Sequence, residues 1–157
     1  GAIAISCEPN LIIADEATTS LDLTIQAQYL KLLKEIQQSN RISMIFITHN
    51  FGIVARMCDH VAVMYAGKIM EKAPVREIFN SARHPYTEAL LGSVPGVDYN
   101  EQRLITIEGQ PPDLARLPSG CSFHPRCEKA DKQCREEAPP EYQVAENHFS
   151  RCWLCEN

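Results

Sequence analysis

An α/β fold built on a parallel sheet, followed by a small irregular cysteine-rich tail, is what this sequence predicts. Three observations point to it. Two short apolar runs, Leu11–Ala14 and Met44–Ile47, are separated by a segment with helical spacing. A second helical segment follows Ile47, so strands and helices alternate, as they do in parallel sheets. The last third of the chain is rich in turn residues and holds five of the seven cysteines within residues 121–155.

The elements follow in order. Ala2–Cys7 is apolar and reads as the end of a helix, so the chain is expected to begin inside an element. Pro9-Asn10 breaks it, and Leu11–Ala14 is a continuous apolar run suited to a strand buried on both faces. Asp22 can cap the helix that carries Ile25, Leu30, Leu33 and Ile36. Asn40 ends that helix, Met44–Ile47 is a second buried strand, and Thr48-His49-Asn50 leads into a short helix through Met57. Ala66-Gly67 makes a tight turn between strands His60–Tyr65 and Lys68–Lys72, where the sheet is expected to end. Pro74 and Pro85 each open a short helix, Val75–Phe79 and Tyr86–Leu91. From Ser93 to Gly120 repeated Pro and Gly mark a linker in which Leu104–Ile107 is strand-like. The tail beyond has too many turn residues for a core of its own, so something other than packing is expected to hold it.

Composition narrows the function. The net charge is −5, with 7 basic and 11 acidic residues after residue 95, which argues against a nucleic-acid binder. No window approaches the ~18 consecutive apolar residues of a membrane-spanning helix, and no basic region followed by an apolar run opens the chain. Cys7 and Cys58 stand in apolar surroundings and read as ordinary buried residues. A cluster such as that formed by Cys121, Cys127, Cys134, Cys152 and Cys155 more often binds metal than forms disulfides in a reducing compartment.

The chemistry-bearing residues sit at strand ends. Asp15 and Glu16 close the first apolar strand, where ionised carboxylates lose solvation unless a cation or donors compensate. Mg²⁺ held by Asp15 and a water polarised by Glu16 would supply that compensation, which makes ATP hydrolysis the leading reading. Solvated turn carboxylates are the plainer alternative. His49 closes the second strand and can face a γ-phosphate from the same sheet edge; a structural histidine is the alternative. Asp22 caps a helix whether or not it has another task. No G-x-x-x-x-G-K-[ST] loop is present to cradle phosphates.

In combination, Leu11–Asp22 and Ile47-Thr48-His49-Asn50 resemble the second half of an ABC transporter ATPase: Walker B strand, catalytic glutamate, D-loop and switch histidine in order. Val61–Glu71, His84–Leu91 and Gly120–Cys127 extend the likeness to the oligopeptide/dipeptide importer subfamily. The resemblance implies that residues 1–92 are the C-terminal part of an ABC-type P-loop ATPase domain and 93–157 the importer's C-terminal extension. It assigns Asp15 and Asp22 to nucleotide and Mg²⁺ binding, Glu16 and His49 to catalysis, and Thr19–Asp22 to contact with a second ATPase subunit. Ala17 stands where this family has proline, which loosens the turn that aims Glu16. The family's Walker A loop, Q-loop and signature motif are expected upstream of Gly1, so the chain alone is expected neither to bind ATP tightly nor to hydrolyse it.

Cys121-x5-Cys127-x6-Cys134-x17-Cys152 offers four soft thiolates, enough for one Zn²⁺ or one cubane cluster, and spacing does not choose between them. Importer ATPases with this tail are similar in carrying a 4Fe-4S cluster, and the resemblance assigns it to these four, leaving Cys155 spare. His124 and His148 are possible ligands only under the zinc reading. The resemblance also implies two transmembrane permease subunits, an extracytoplasmic solute-binding protein acting indirectly, no nucleic acid, and a place at the cytoplasmic face of the membrane, where ATP hydrolysis drives peptide uptake. Two alternatives stand beside it: a soluble ABC ATPase that moves no solute, and a non-catalytic metal-binding module.

Overall fold

The computed structural model describes residues 2–94 and 107–156 and divides the chain into two compact units, Gly1–Cys58 and Asp59–Asn157. In the first, helix α1 (Ala2–Ile5) precedes strand β1 (Leu11–Asp15), helix α2 (Leu23–Asn40), strand β2 (Ser43–Ile47) and helix α3 (Phe51–Met57). The two strands pair in parallel with Asp15 opposite Ile47. Asp22 starts α2 by accepting the Thr24 and Ile25 amides at 2.9 and 3.0 Å. Asn50 does the same for α3 with Gly52 and Ile53. These amides have no partner within a helix, so each cap contributes about 1 kcal/mol.

Leu30 and Leu33 of α2 meet Ile53 and Met57 of α3, with Met44 and Phe46 of β2 packed against them. The period-2 alternation of β2 turns those two residues inward and Ile45 and Ile47 outward. Only one face of the β1–β2 pair is thus covered within this unit: Ile13 is 61 % exposed, and Leu11, Ile45 and Ile47 are also exposed. The expectation of strands buried on both faces is corrected here. Cys7 is exposed, against expectation, whereas Cys58 is half-buried beside the Leu30–Met57 cluster.

In the second unit, strands β3 (His60–Tyr65) and β4 (Lys68–Pro74) form an antiparallel hairpin. Its turn residues Ala66 and Gly67 both have positive φ, 49° and 77°, the conformation that matches the strands' twist. Helix α4 (Val75–Ser81) packs back on this hairpin through the fully buried Ile78. Helix α5 (Pro85–Gly92) follows, with proline in its first turn. Helix α6 (Lys132–Glu136) and strands β5 (Tyr142–Ala145) and β6 (His148–Ser150) complete the unit.

Two expectations for this region are overturned. The sheet does not end at β4: β6 pairs antiparallel with it and β5 follows, giving the order β3-β4-β6-β5. Packing also holds the tail, in a core shared with the hairpin and not one of its own. Phe123, 2 % exposed, joins Tyr65, Met70 and Cys121, and its ring meets those of Tyr65 and Tyr86 at 5.3 and 5.1 Å. Tail residues bury themselves against the hairpin, which local composition does not register. Most of the expected strand-like run Leu104–Ile107 lies outside the described residues.

Candidate functional site

The first candidate site lies where β1 and β2 end side by side. Parallel pairing puts Asp15 level with Ile47, and the Glu16 amide donates to the Ile47 carbonyl at 2.9 Å. Glu16 has φ 45°, a left-handed conformation uncommon for a residue with a side chain. The chain therefore turns sharply at the strand end and its carboxylate swings toward the neighbouring strand. There His49 Nδ1 donates to Glu16 Oε1 at 2.9 Å, and the Thr19 hydroxyl donates to Oε2 at 2.5 Å.

Both donors favour the ionised carboxylate. The Thr19 hydroxyl first, and then the His49 imidazole, hold the Glu16 carboxyl below its usual range. A carboxylate aimed and ionised at the C-terminal edge of a parallel sheet can polarise a water, and that edge is where open α/β sheets bind ligands. Of the sequence candidates, Glu16 and His49 are brought into contact from positions 33 residues apart. Asp15 is exposed at the end of β1 beside them. Asp22 is turned to the α2 amides as their cap, which is the plainer of its two expected roles. Thr19 as the partner of Glu16 was not anticipated; its spacing of three residues across a turn is the signal that points to it.

The second site lies in the other unit. Cys121, Cys127, Cys134 and Cys152 line one cavity together with His84, Phe123, His124 and Trp153. The Cys121 amide donates to the Cys134 carbonyl at 2.9 Å, which ties the loop of the first cysteine to α6. Asp131 caps α6 by accepting the Cys134 amide at 2.9 Å. Burial pushes the Cys121, Cys127 and Cys134 thiols above their usual range and the Cys152 thiol up to about 12. Without a compensating positive centre the four are thiols, whereas a bound metal would deprotonate them.

Among the described residues no group of three or more His, Cys, Asp or Glu side chains is arranged to hold a metal ion. The cysteines converge as the lining of a space of about 20 Å³, room for about one water. Cys155 stands apart, its Sγ donating to the Arg83 carbonyl at 3.8 Å.

Beneath this cavity is a buried polar cluster that sequence reasoning missed. The Glu71 carboxylate accepts the Arg83 amide at 2.6 Å, the His84 amide at 3.1 Å and His148 Nε2 at 2.7 Å. It fastens β4, the entry to α5 and β6 together. Burial pushes the His84 imidazole down to about 4, against the opposing pull of Glu71 and the Arg151 carbonyl. The His84-Pro85-Tyr86 triplet carried a signal for this site: a side chain just before a helix-opening proline is placed to cap that helix.

Residues 70–134 match the family described as the oligopeptide/dipeptide transporter, C-terminal region. A Brucella ovis protein named for peptide import and ATP binding is 50 % identical to this chain, over 96 % of the chain and 46 % of its own length. The dipeptide transport ATP-binding protein of Bacillus subtilis is 49 % identical over 98 % of the chain and 46 % of its own length. For the oligopeptide transport ATP-binding protein of Haemophilus influenzae the values are 46 %, 98 % and 47 %. The resemblance seen in the motifs thus extends over nearly the whole chain, which spans about half the length of the curated relatives it matches.

Proposed function

On the footing that residues 70–134 belong to the oligopeptide/dipeptide transporter C-terminal family, within a chain related throughout to peptide-import ATP-binding proteins, we propose that it works as the catalytic half of such an ATPase. Residues 1–92 supply the Walker B strand, D-loop and switch histidine, and 93–157 form the importer extension. Asp15 holds Mg²⁺ on ATP, Glu16 takes the proton of the attacking water, and His49 orients Glu16 and senses the γ-phosphate. Thr19–Asp22 meets a second ATPase subunit. The whole assembly, with two permease subunits and a solute-binding protein outside, couples hydrolysis to peptide uptake at the cytoplasmic membrane face. Consistent with a peripheral role, no described helix is long and apolar enough to cross a membrane.

The observation that carries this reading is the 2.9 Å Glu16–His49 contact between the ends of adjacent parallel strands. The test is a hybrid in which this chain replaces the aligned portion of the Bacillus subtilis dipeptide transport ATP-binding protein. Nucleotide binding and ATPase activity are then compared with those of the Glu16→Gln hybrid. The variant is expected to bind ATP as before and to lose roughly 10²–10⁴-fold in turnover, the range of one general base. Undiminished turnover in the variant refutes the assignment.

For the tail, the same reading places a 4Fe-4S cluster on Cys121, Cys127, Cys134 and Cys152. Four soft donors lining one cavity, Cys121 and Cys152 buried and Cys127 and Cys134 half-buried, support it, and such a group would supply folding energy to the tail or a redox-sensitive centre. Iron, sulfide and zinc analysis of anaerobically purified protein tests this: about four irons and sulfides per chain support the cluster, and stoichiometric zinc replaces it.

A further inference from the structure

The two bonds that hold the Glu16 carboxylate lie at an open strand end, where the His49 side chain is 80 % exposed and that of Glu16 40 %. Water competes for the same oxygens, so bonds in this setting add little to stability. What they fix is an orientation. His49 reaches Oε1 from the end of β2, and Thr19 reaches Oε2 from the loop between β1 and α2. A carboxylate with one donor can still turn about the bond it makes. A second donor on the other oxygen, carried by a different element, removes that freedom. An ionised carboxylate has about four lone-pair sites, so two donors leave room for a water.

Thr19 is itself held by the backbone. Its amide donates to the Glu16 carbonyl at 3.1 Å, closing a turn from Glu16 to Thr19, and the Leu21 amide donates to the Thr18 carbonyl at 3.1 Å. Asp22, the next residue, is fixed to the first amides of α2. Two successive turns thus join the strand end to the helix, and Thr19 lies in both. Ala17 follows Glu16 in the first turn and lacks the ring that would set its φ, so closure falls to the amide and hydroxyl of Thr19. Of the adjacent hydroxyls of Thr18, Thr19 and Ser20, that of Thr19 is the one bonded to the carboxylate.

We propose that Thr19 is a positioning residue for hydrolysis, its hydroxyl and the His49 imidazole together holding the Glu16 carboxylate in the plane from which it takes the proton of the attacking water. In that step the water oxygen bonds to the γ-phosphorus, its proton passes to Glu16, and ADP leaves with the electrons of the broken P–O bond. The inference rests on the reading of Glu16 as general base and adds to it a residue from the following loop. Thr19 also belongs to the segment assigned to contact with a second ATPase subunit, so a partner that shifts this loop changes the aim of the base.

The experiment compares Thr19→Val and Thr19→Ser in the Bacillus subtilis hybrid, with Glu16→Gln beside them. Valine keeps the β-branched shape and removes the hydroxyl, whereas serine keeps the hydroxyl. Thr19→Val is expected to lower kcat about tenfold with the KM for ATP unchanged, because aim is lost and binding is not. Thr19→Ser should stay within about twofold of the unsubstituted hybrid. Carbon-13 relaxation of the Glu16 side chain in the nucleotide-free chain should show a more mobile carboxyl carbon in Thr19→Val and not in Thr19→Ser. Full turnover by Thr19→Val, in a hybrid that Glu16→Gln inactivates, overturns the role of Thr19 and leaves the base assignment standing. Equal losses in both Thr19 variants, a raised KM with unchanged kcat, or unchanged carboxyl mobility do the same. A Glu16→Gln hybrid with undiminished turnover overturns both.

Discussion

Gly120 is where the cysteine loop and α6 come closest, and replacing it with alanine measures what that approach contributes. Its φ is +70°, and a Cβ built there would lie 2.4 Å from the Cys134 carbonyl oxygen and 2.8 Å from the Arg135 carbonyl carbon. Both neighbours are backbone, so neither can swing aside as a side-chain tip would. The left-handed conformation alone costs alanine roughly 1 kcal/mol. Moving the loop away also breaks the Cys121 amide bond to Cys134 and the Ser119 hydroxyl bond to Arg135, at 2.9 and 2.7 Å, each about 1 kcal/mol. Gly120→Ala should therefore cost about 3 kcal/mol.

Gly67 is the internal control, because it has φ +77° and nothing within 4 Å of its built Cβ. Gly67→Ala should cost only the conformational part, about 1 kcal/mol. Urea unfolding of both variants under reducing, metal-free conditions, followed by far-ultraviolet circular dichroism, gives the comparison directly. Equal losses would refute the claim that close backbone approach, and not conformation alone, requires glycine at 120.

Leu33→Ala, at a site 3 % exposed, should cost about 2–5 kcal/mol by denaturant unfolding, whereas Ile13→Ala at 61 % exposure should stay within about 1 kcal/mol. Glu71→Ala strands the Arg83 and His84 amides and His148 Nε2 in the interior and should cost about 3–5 kcal/mol, read from the same unfolding curves. Titration of the Glu16 carboxyl by carbon-13 nuclear magnetic resonance should give a midpoint below 4.5, rising more in Thr19→Val than in His49→Ala. Because the folded pKa is the lower one, the stability that Glu16 adds is present above the unfolded value and lost as pH falls through the folded value. A midpoint at or above 4.5 would contradict the geometry.

Much of the first unit was legible without coordinates, since its signals are local. Asp22 and Asn50 precede helical periods and cap them, and two apolar runs joined by a helix pair in parallel. The strand-end positions of Glu16 and His49 were likewise visible. Their 2.9 Å contact needed register, because a shift of one residue between β1 and β2 would turn the side chains to opposite faces. The burial of those strands was misjudged because a continuous apolar run does not say how many faces a neighbour covers.

The tail shows the limit more sharply. Its proline- and cysteine-rich composition predicted a segment unable to pack, yet Phe123 lies in a core supplied by Tyr65 and Tyr86, and β6 completes a ladder begun at β4. Sequence alone determined the residue types, the caps, the turns and the cysteine spacing, which depend on neighbours a few positions apart. Tertiary structure decided which cysteines share a cavity, that Glu71 answers His148 across 77 residues, and that His84 lines the cavity with them. Those depend on contacts between distant segments, whose formation is set by packing and register and leaves no period in the chain.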